Sequence, residues 1–424
     1  MTGTENRHHE PMGIVVQKYG GTLLQTEEGR ARVASQIEAT RAAGHEVVVV
    51  ASAIGRAGEP YATDTLLGLA KEIDPDVEPR TLDLLLSCGE IISTALLAHL
   101  LTRRHHPAVA LTGAQAGILT SEQFGDARIL TIRPGRVWRA LGEGRIPVVA
   151  GFQGVTATGE ITTLGRGGSD TTAVAMGAAL GADLVEIFKD VDGVMTSDPQ
   201  IVPDARPIPR ISYDEVSQMA WLGARVLHPR AADIGREHGV RLIVRKLGSQ
   251  RGTEIVRGAD IDVPIHDGRV VIGLAHLPDV TQLRLRRRAR DGLEEPLKAL
   301  RVLAEAGISI DLINLLPELL AFTVREEDGD RAEQLLEDGG FDVERSGPCA
   351  KVSIIGAGIR GVPGVMMRVV RALQAAGIDI LETADSHTTI SCLVHRKHME
   401  AALRALHDEF RLAAEVHSVQ EVTI

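Results

Sequence analysis

Val47 to Val50 are four consecutive valines closed by Ala51, a run with no polar face. A strand that shows apolar side chains to both sides has to be covered on both sides, as in a parallel sheet with helices above and below. The pattern recurs. Ile146 to Ala150 and Leu184 to Phe188 are similar runs, Val109 to Leu111 is a shorter one, and Ile14 to Lys18 alternates into another strand. Helical spacing falls between them, over Glu27 to Ala43 with Gly44 as its stop, Leu82 to Leu101, Arg136 to Leu141 and the alanine-rich Thr171 to Leu180. Such strand–helix–strand units predict an α/β fold, a mostly parallel open sheet running to about Leu247, with ligands at the carboxyl ends of its strands. Aromatic residues make up only 3% of the chain, so Val, Ile, Leu and Ala must fill the core.

With 424 residues the chain exceeds what one hydrophobic core usually fills. The texture changes after Gly248. A polar linker, Asp260 to Arg269, leads into a region that repeats itself. Leu303-Ala-Glu-Ala-Gly307-Ile308 resembles Leu373-Gln-Ala-Ala-Gly377-Ile378 at an offset of 70 residues, and Val324 and Val394 keep that offset. Each copy reads strand, helix, strand, strand, helix, strand, the ferredoxin-like βαββαβ order. The predicted division is a disordered N-terminus over 1–11, an α/β domain over 12–260, and two small modules over 268–345 and 348–424.

The net charge of -11 argues against nucleic acid or an anionic membrane surface as partner. Met1 to Pro11 lacks the apolar core of a signal peptide, and no apolar run reads as a membrane span, which predicts a soluble cytoplasmic protein. Cys88, Cys349 and Cys392 show no CxxC spacing. Reduced thiols are expected, and no protein metal site.

Three clusters carry candidate chemistry. In Lys18-Tyr19-Gly20-Gly21-Thr22, glycines after a strand let backbone N–H groups approach phosphate oxygens, and the lysine adds a point charge. It is not a Walker A motif, and read alone it is also an ordinary turn. In Gly165-Arg166-Gly167-Gly168-Ser169-Asp170-Thr171-Thr172, a glycine-rich loop enters a helix N-terminus, where orphan N–H groups favour an anion and Arg166 can grip a carboxylate or phosphate. Ser169 or Asp170 alone would serve as an N-cap. In Phe188-Lys189-Asp190-Val191-Asp192-Gly193-Val194-Met195, a strand ends in an Asp-Gly turn where a nucleotide could rest.

Taken in order, these clusters resemble the amino acid kinase family, and within it the aspartate kinases. The family's KFGGTS, GRGGSD and TDVDGV…DPR appear here as KYGGTL, GRGGSD and KDVDGVMTSDPQ, and its GAKVLHP as Gly223 to Pro229. The C-terminal repeats resemble tandem ACT domains, with Ala384-Asp385-Ser386-His387-Thr388-Thr389-Ile390 close to the second module's signature. The resemblance implies ATP-dependent phosphorylation of the L-aspartate β-carboxylate, the first step toward lysine, diaminopimelate, threonine and methionine. It implies that Lys18 and Asp170 are catalytic, and that Ser52, Thr63 (or Thr65), Glu90, Arg166 and Ser169 hold aspartate, with Glu90 on the α-ammonium and Arg166 on the α-carboxylate. Lys18, Gly20, Gly21, Lys189, Asp190, Met195 and Arg225 would face ATP, with Mg²⁺ arriving on the nucleotide. No general base is needed, because a carboxylate is already ionised at neutral pH.

Four positions depart from the family: Leu23 for Ser, Lys189 for Thr, Gln200 for Arg and Arg225 for Lys. Lys189 would replace the cation lost at Gln200. The departures leave a weak amino-acid sensor as a second reading, and a kinase for another acidic amino acid as a third, which Glu90 and the ACT repeats disfavour. In the second module, Gly361-Val362-Pro363-Gly364 enters a helix. Its N–H groups could receive an effector carboxylate, with Val362 and Gly364 at the site and Asp379 and Asp385 on the ammonium; the same loop also reads as a plain helix start with Pro363 near N1. Lysine, threonine and meso-diaminopimelate all fit as effector, and pairing through the ACT domains implies a homodimer or higher homo-oligomer.

Overall fold

The computed structural model describes residues 13–414 apart from 225, 258–269, 287–292, 357–358 and 360. The N-terminus over 1–11 and the linker at 260–269 lie outside the described residues. The chain divides into two units. One comprises Met1–Val194, Pro207–Ala220 and Arg225–Val263; the other comprises Met195–Arg206, Trp221–Ala224 and Pro264–Ile424. The division departs from the expected domain over 12–260 because two short segments, Met195–Arg206 and Trp221–Ala224, fold with the C-terminal unit.

The first unit is built on an eight-stranded sheet. Its order is Arg210–Ser212, Thr253–Val256, Leu242–Lys246, Leu184–Lys189, Ile14–Tyr19, Glu46–Ala51, Ile146–Ala150, Ala108–Leu111. Every pairing is parallel except Leu242–Lys246 with Thr253–Val256. The apolar runs occupy the middle, and Val47 to Ala51 and Ile146 to Ala150 are buried throughout. A second sheet of four short strands, Ile118–Thr120, Ile129–Ile132, Gln153–Val155 and Ile161–Thr163, was not foreseen. Strands of three or four residues are too short for a periodic signal.

The helix expected over Leu82 to Leu101 runs from Pro79 to Arg103, with the proline in its first turn. Its inward stripe includes Asp83, Ser87, Glu90, Thr94, Leu97 and Leu101, spaced by three or four residues, with Leu86 beside them. The expectation that no apolar run reaches membrane length needs correcting: by length and composition this helix is apolar enough to cross a membrane, with a mean hydropathy of 1.8 over 18 residues. Half of that stretch is packed inside protein, and the stripe carries a buried Asp and Glu, so it is a core helix. Asp83 is fully buried and accepts hydrogen bonds from the Gly125 N–H, the Thr163 N–H (2.7 Å) and the Thr163 hydroxyl (2.7 Å). It thereby fixes the rotation of the helix that carries Glu90 two turns later.

The C-terminal unit contains one six-stranded antiparallel sheet, in the order Asp311–Leu316, Leu319–Arg325, Gly273–Arg286, Val343–Ile355, Thr389–His395, Glu382–Asp385. Helices Glu294–Glu305 and Glu326–Asp338 complete the first expected module around Leu283, Leu303, Phe322 and Leu336. Helices Val365–Ala375 and Met399–Glu409 cover the other half around Leu274, Val352, Leu373 and Leu403. The modules do not separate between 345 and 348, because Val343–Ile355 runs through that point as one 13-residue strand. The last strand expected of the second module would fall at 415–424, outside the described residues. Within them, Gly273–Leu277 pairs along Lys351–Ile355, in the position a fourth strand takes in this order.

Replacing Asp83 by Ala leaves three donors unmatched beside a cavity. The expected loss is about 3–5 kcal/mol of unfolding free energy, with Asp83→Asn less costly, measured by urea denaturation followed by circular dichroism.

Candidate active site

Four neighbouring parallel strands end side by side, in the order Leu184–Lys189, Ile14–Tyr19, Glu46–Ala51, Ile146–Ala150. Lys18 stands opposite Ile187 in the register, so Lys189, two residues on, points to the same face of the sheet. Both lysines reach one carboxylate. Lys18 Nζ lies 2.8 Å from Asp170 Oδ1, and Lys189 Nζ lies 2.8 Å from Asp170 Oδ2. Asp170 comes from the first turn of the helix Gly168–Leu180. That helix starts three residues earlier than expected, so Gly167 is the N-cap, not Ser169 or Asp170. Gly167 has φ 71°, and a Cβ there would strike the His228 ring at 2.5 Å.

All three charges are buried or nearly so. Burial works against ionisation of Asp170, but Lys18 and Lys189 outweigh it and hold its carboxyl well below the usual range. Burial lowers the pKa of Lys18; Asp170 opposes this and Lys189 adds to it. Two ammonium groups on one carboxylate leave a net positive site that an anion can complete.

Glu90 is 3% exposed. Its Oε1 accepts the Ala53 N–H at 3.0 Å, while its Oε2 is buried without a hydrogen-bond partner among the described residues. Burial pushes its carboxyl up to about 8, against the pull of the Ala53 N–H and of Lys18. A buried acceptor with an open lone pair is matched to a cationic donor such as an ammonium group.

The remaining sequence candidates fall around this core. Ser52 donates its N–H to the Tyr19 carbonyl, 3.1 Å away, at the end of the neighbouring strand. Gly20 lies beside the Lys18 ammonium. Gly21 is required sterically, since a Cβ would meet the Ala53 carbonyl oxygen at 2.1 Å. Ser169 is buried against Gly151. Thr63 opens the helix Thr63–Ile73, half-buried, whereas Thr65 uses its hydroxyl to accept the Gly58 N–H. Arg166 stands 92% exposed with Asp64 4.0 Å away, free to swing onto an incoming anion. Asp190 is already engaged by Arg56 at 2.7 Å, an exposed pair. Met195, expected on the nucleotide side, packs against the core of the C-terminal unit, because the chain changes unit after Val194. Arg225 lies outside the described residues. Gln200 belongs to Met195–Arg206, where its N–H donates to Asp198 Oδ1 at 2.9 Å, while Lys189 pairs with Asp170.

Two residues had no assigned role in the sequence reading. Arg56 has no motif around it and is found only through its partner. His228 lies within the quoted Gly223-to-Pro229 motif and caps the helix Pro229–His238; burial and then Arg230 lower its pKa, with Asp170 opposing them. Among the described residues, no group of three or more His, Cys, Asp or Glu could hold a metal ion. In the C-terminal unit, Val362, Gly364, Met366, Asp385 and Ser386 line a groove of about 370 Å³. Asp379, named with them from sequence, does not line it.

A profile of the amino acid kinase family matches residues 13–246, more than half of the chain. The chain belongs to the amino acid kinase family. An ACT domain profile matches residues 344–408. Among curated members of this family, Aspartokinase 1 of Bacillus subtilis is 43% identical over 405 residues, covering 95% of this chain and 100% of its own. The aspartokinase of Geobacillus stearothermophilus is 43% identical over 420 residues, covering 96% and 100%. Escherichia coli aspartokinase III, solved with aspartate and ADP, superposes with a TM-score of 0.76 at 26% identity, over 93% of this chain and 99% of its own. This family member is therefore an aspartokinase-like chain along essentially its whole length.

The Glu90 carboxyl is protonated in the folded protein up to about pH 8 and in the unfolded chain only to its ordinary value near 4.5. The folded state thus holds the extra proton between those values, and stability falls as pH rises through that window. Glu90→Gln removes this dependence. Its Tm should match wild type near pH 5 and exceed it increasingly toward pH 9, by a gap worth a few kcal/mol at about 1.4 kcal/mol per pKa unit.

Proposed function

We infer that the protein is an aspartate kinase, transferring the γ-phosphoryl group of ATP to the β-carboxylate of L-aspartate to give 4-phospho-L-aspartate and ADP. The observation that carries this reading is the Lys18–Asp170–Lys189 cluster at the strand ends, with the open Oε2 of Glu90 nearby. Phosphoryl transfer asks a protein to align two anions and offset their repulsion. Lys18 and Lys189 supply the cations, and Asp170 holds both in place before the nucleotide arrives. Glu90 takes the α-ammonium of aspartate and Arg166 its α-carboxylate, which leaves the β-carboxylate as nucleophile. Its oxygen forms the new bond to phosphorus as the bond to ADP breaks, and the transfer step itself moves no proton; the proton that buried Glu90 holds below about pH 8 leaves when the ammonium binds. Gly20 and Gly21 offer backbone N–H groups to the phosphates, and Lys189, absent from the family pattern, adds a second ammonium to them. Mg²⁺ comes with ATP as part of the substrate. Product of this kind feeds amino-acid biosynthesis in the cytoplasm.

The C-terminal groove, with the Asp385 carboxylate beside apolar Val362 and Met366, suits a free amino acid as effector. The relative from Escherichia coli has also been solved with lysine and aspartate. Exposed Ile313, Leu315 and Leu316 on the edge strand Asp311–Leu316 favour self-association of this unit.

Trapping the product with hydroxylamine tests the chemistry. Wild type with ATP and aspartate should form aspartyl hydroxamate; Lys18→Ala should lose about 100-fold or more in kcat, and Arg166→Ala should act mainly on the KM for aspartate. No hydroxamate from wild type, or full kcat in Lys18→Ala, overturns the reading. Effector binding is tested by titrating lysine, threonine and meso-diaminopimelate. One of them should inhibit, and Asp385→Ala should weaken that inhibition about 10-fold or more without changing kcat in its absence.

A further inference from the structure

The stretch Met195–Arg206 leaves the first unit directly after the Asp190–Val194 loop and returns at Pro207. Its two ends run side by side. Val194 O accepts the Ile208 N–H at 2.7 Å, and Thr196 N–H donates to Arg206 O at 2.8 Å. The first pair is anchored in the first unit, where the Thr253 hydroxyl accepts the Val194 N–H at 2.8 Å and donates to Ile208 O at 2.6 Å. The second pair is anchored in the C-terminal unit. Thr196 O accepts the Leu274 N–H at 2.7 Å, its Oγ1 accepts the Arg206 N–H at 3.0 Å, and the same hydroxyl meets His407 Nε2 at 3.1 Å. Around it, Val202 and Ala205 are buried with Leu403 and Leu406, and Arg404 Nε donates to Ile201 O at 2.9 Å.

His407 is fully buried on the helix Met399–Glu409, and its Nδ1 has no partner among the described residues. A buried histidine spending one nitrogen on one hydroxyl is an expensive way to fill a core that Leu would fill better. Thr196 stands two residues from Val194, a span of at most ~7 Å of extended chain. A shift of Thr196 therefore reaches the Asp190–Val194 loop with almost no slack.

We propose that Thr196 and His407 are positioning residues for the nucleotide: their hydrogen bond sets where the Asp190–Val194 loop stands, so that the helix Met399–Glu409 of the ACT half governs ATP affinity through one threonine. This rests on the reading that the loop borders the nucleotide in an aspartate kinase. Neither residue touches a substrate, so the effect should fall on one substrate only.

The test uses the full chain with Thr196→Val, His407→Leu, the double variant, and the conservative Thr196→Ser and His407→Gln. MgADP binding is measured by calorimetry and both KM values by ADP release. His407→Leu should weaken MgADP and raise the KM for ATP about fivefold, the fold-change that one lost hydrogen bond corresponds to, and Thr196→Val at least as much because its hydroxyl also accepts the Arg206 N–H, with the KM for aspartate within about twofold of wild type in both. The double variant should be no worse than the worse single, and the conservative variants should recover most of the affinity. Unchanged nucleotide constants, or equal changes for both substrates with a lowered Tm, overturn the proposal and leave a purely structural contact. Wild type that binds no MgADP instead overturns the kinase reading itself, a result visible before any substitution is made.

Discussion

One buried carboxylate shared by two ammonium groups organises the first unit. Lys18 and Lys189 come from adjacent parallel strands, and a slip of one residue between those strands would turn one of them to the opposite face. Asp170 comes from a helix whose start is fixed by the left-handed Gly167 against His228. Neither Lys18 nor Asp170 is comfortable alone, because burial penalises both charges. Each makes the others tolerable, and the residual positive charge is what suits the place to a polyanion. The sheet, the glycine loop and the helix start can be understood as the scaffold that keeps these three groups within reach of each other.

Glu90 is the complementary case, a carboxyl left short of partners. Asp83 on the same helix stripe is equally buried but fully bonded, by Gly125 and Thr163. One acid locks the helix and the other waits on it. The contrast is a physical way to tell a structural carboxylate from a functional one when both are hidden.

Much of the first unit was legible in the sequence. Runs such as Val47 to Ala51 admit few environments besides a covered parallel strand, and the glycine clusters mark where backbone has to pass close to something. Lys18, Glu90, Asp170 and Lys189 were each named from separate motifs, but that Lys18 and Lys189 meet on one carboxylate was not read from them. Other features depended on distance in space and left no local trace. Asp190 looked like a free nucleotide-side acid until Arg56 was seen beside it. Met195 follows the Asp-Gly turn in the chain but belongs to the other unit, since two residues suffice for a chain to change cores. The helix Pro79–Arg103 hides its polar stripe in composition because a 3.6-residue period puts most of each residue's neighbours in sequence on other faces. The repeat at a 70-residue offset was visible, but its edges were not: strand pairing, not sequence similarity, decides where a module stops.

The strand Val343–Ile355 belongs to both halves of the C-terminal sheet: its first half lies along Val280–Leu285 and its second along Gly273–Leu277 and Thr389–His395. The buried Glu382 accepts from Gln282 and Asn314, joining the halves a second time. Recombination that cut inside this strand would hand each recipient a raw edge and half a ladder. The two similar sequences therefore form one sheet that cannot be cut at their sequence boundary without breaking its ladder.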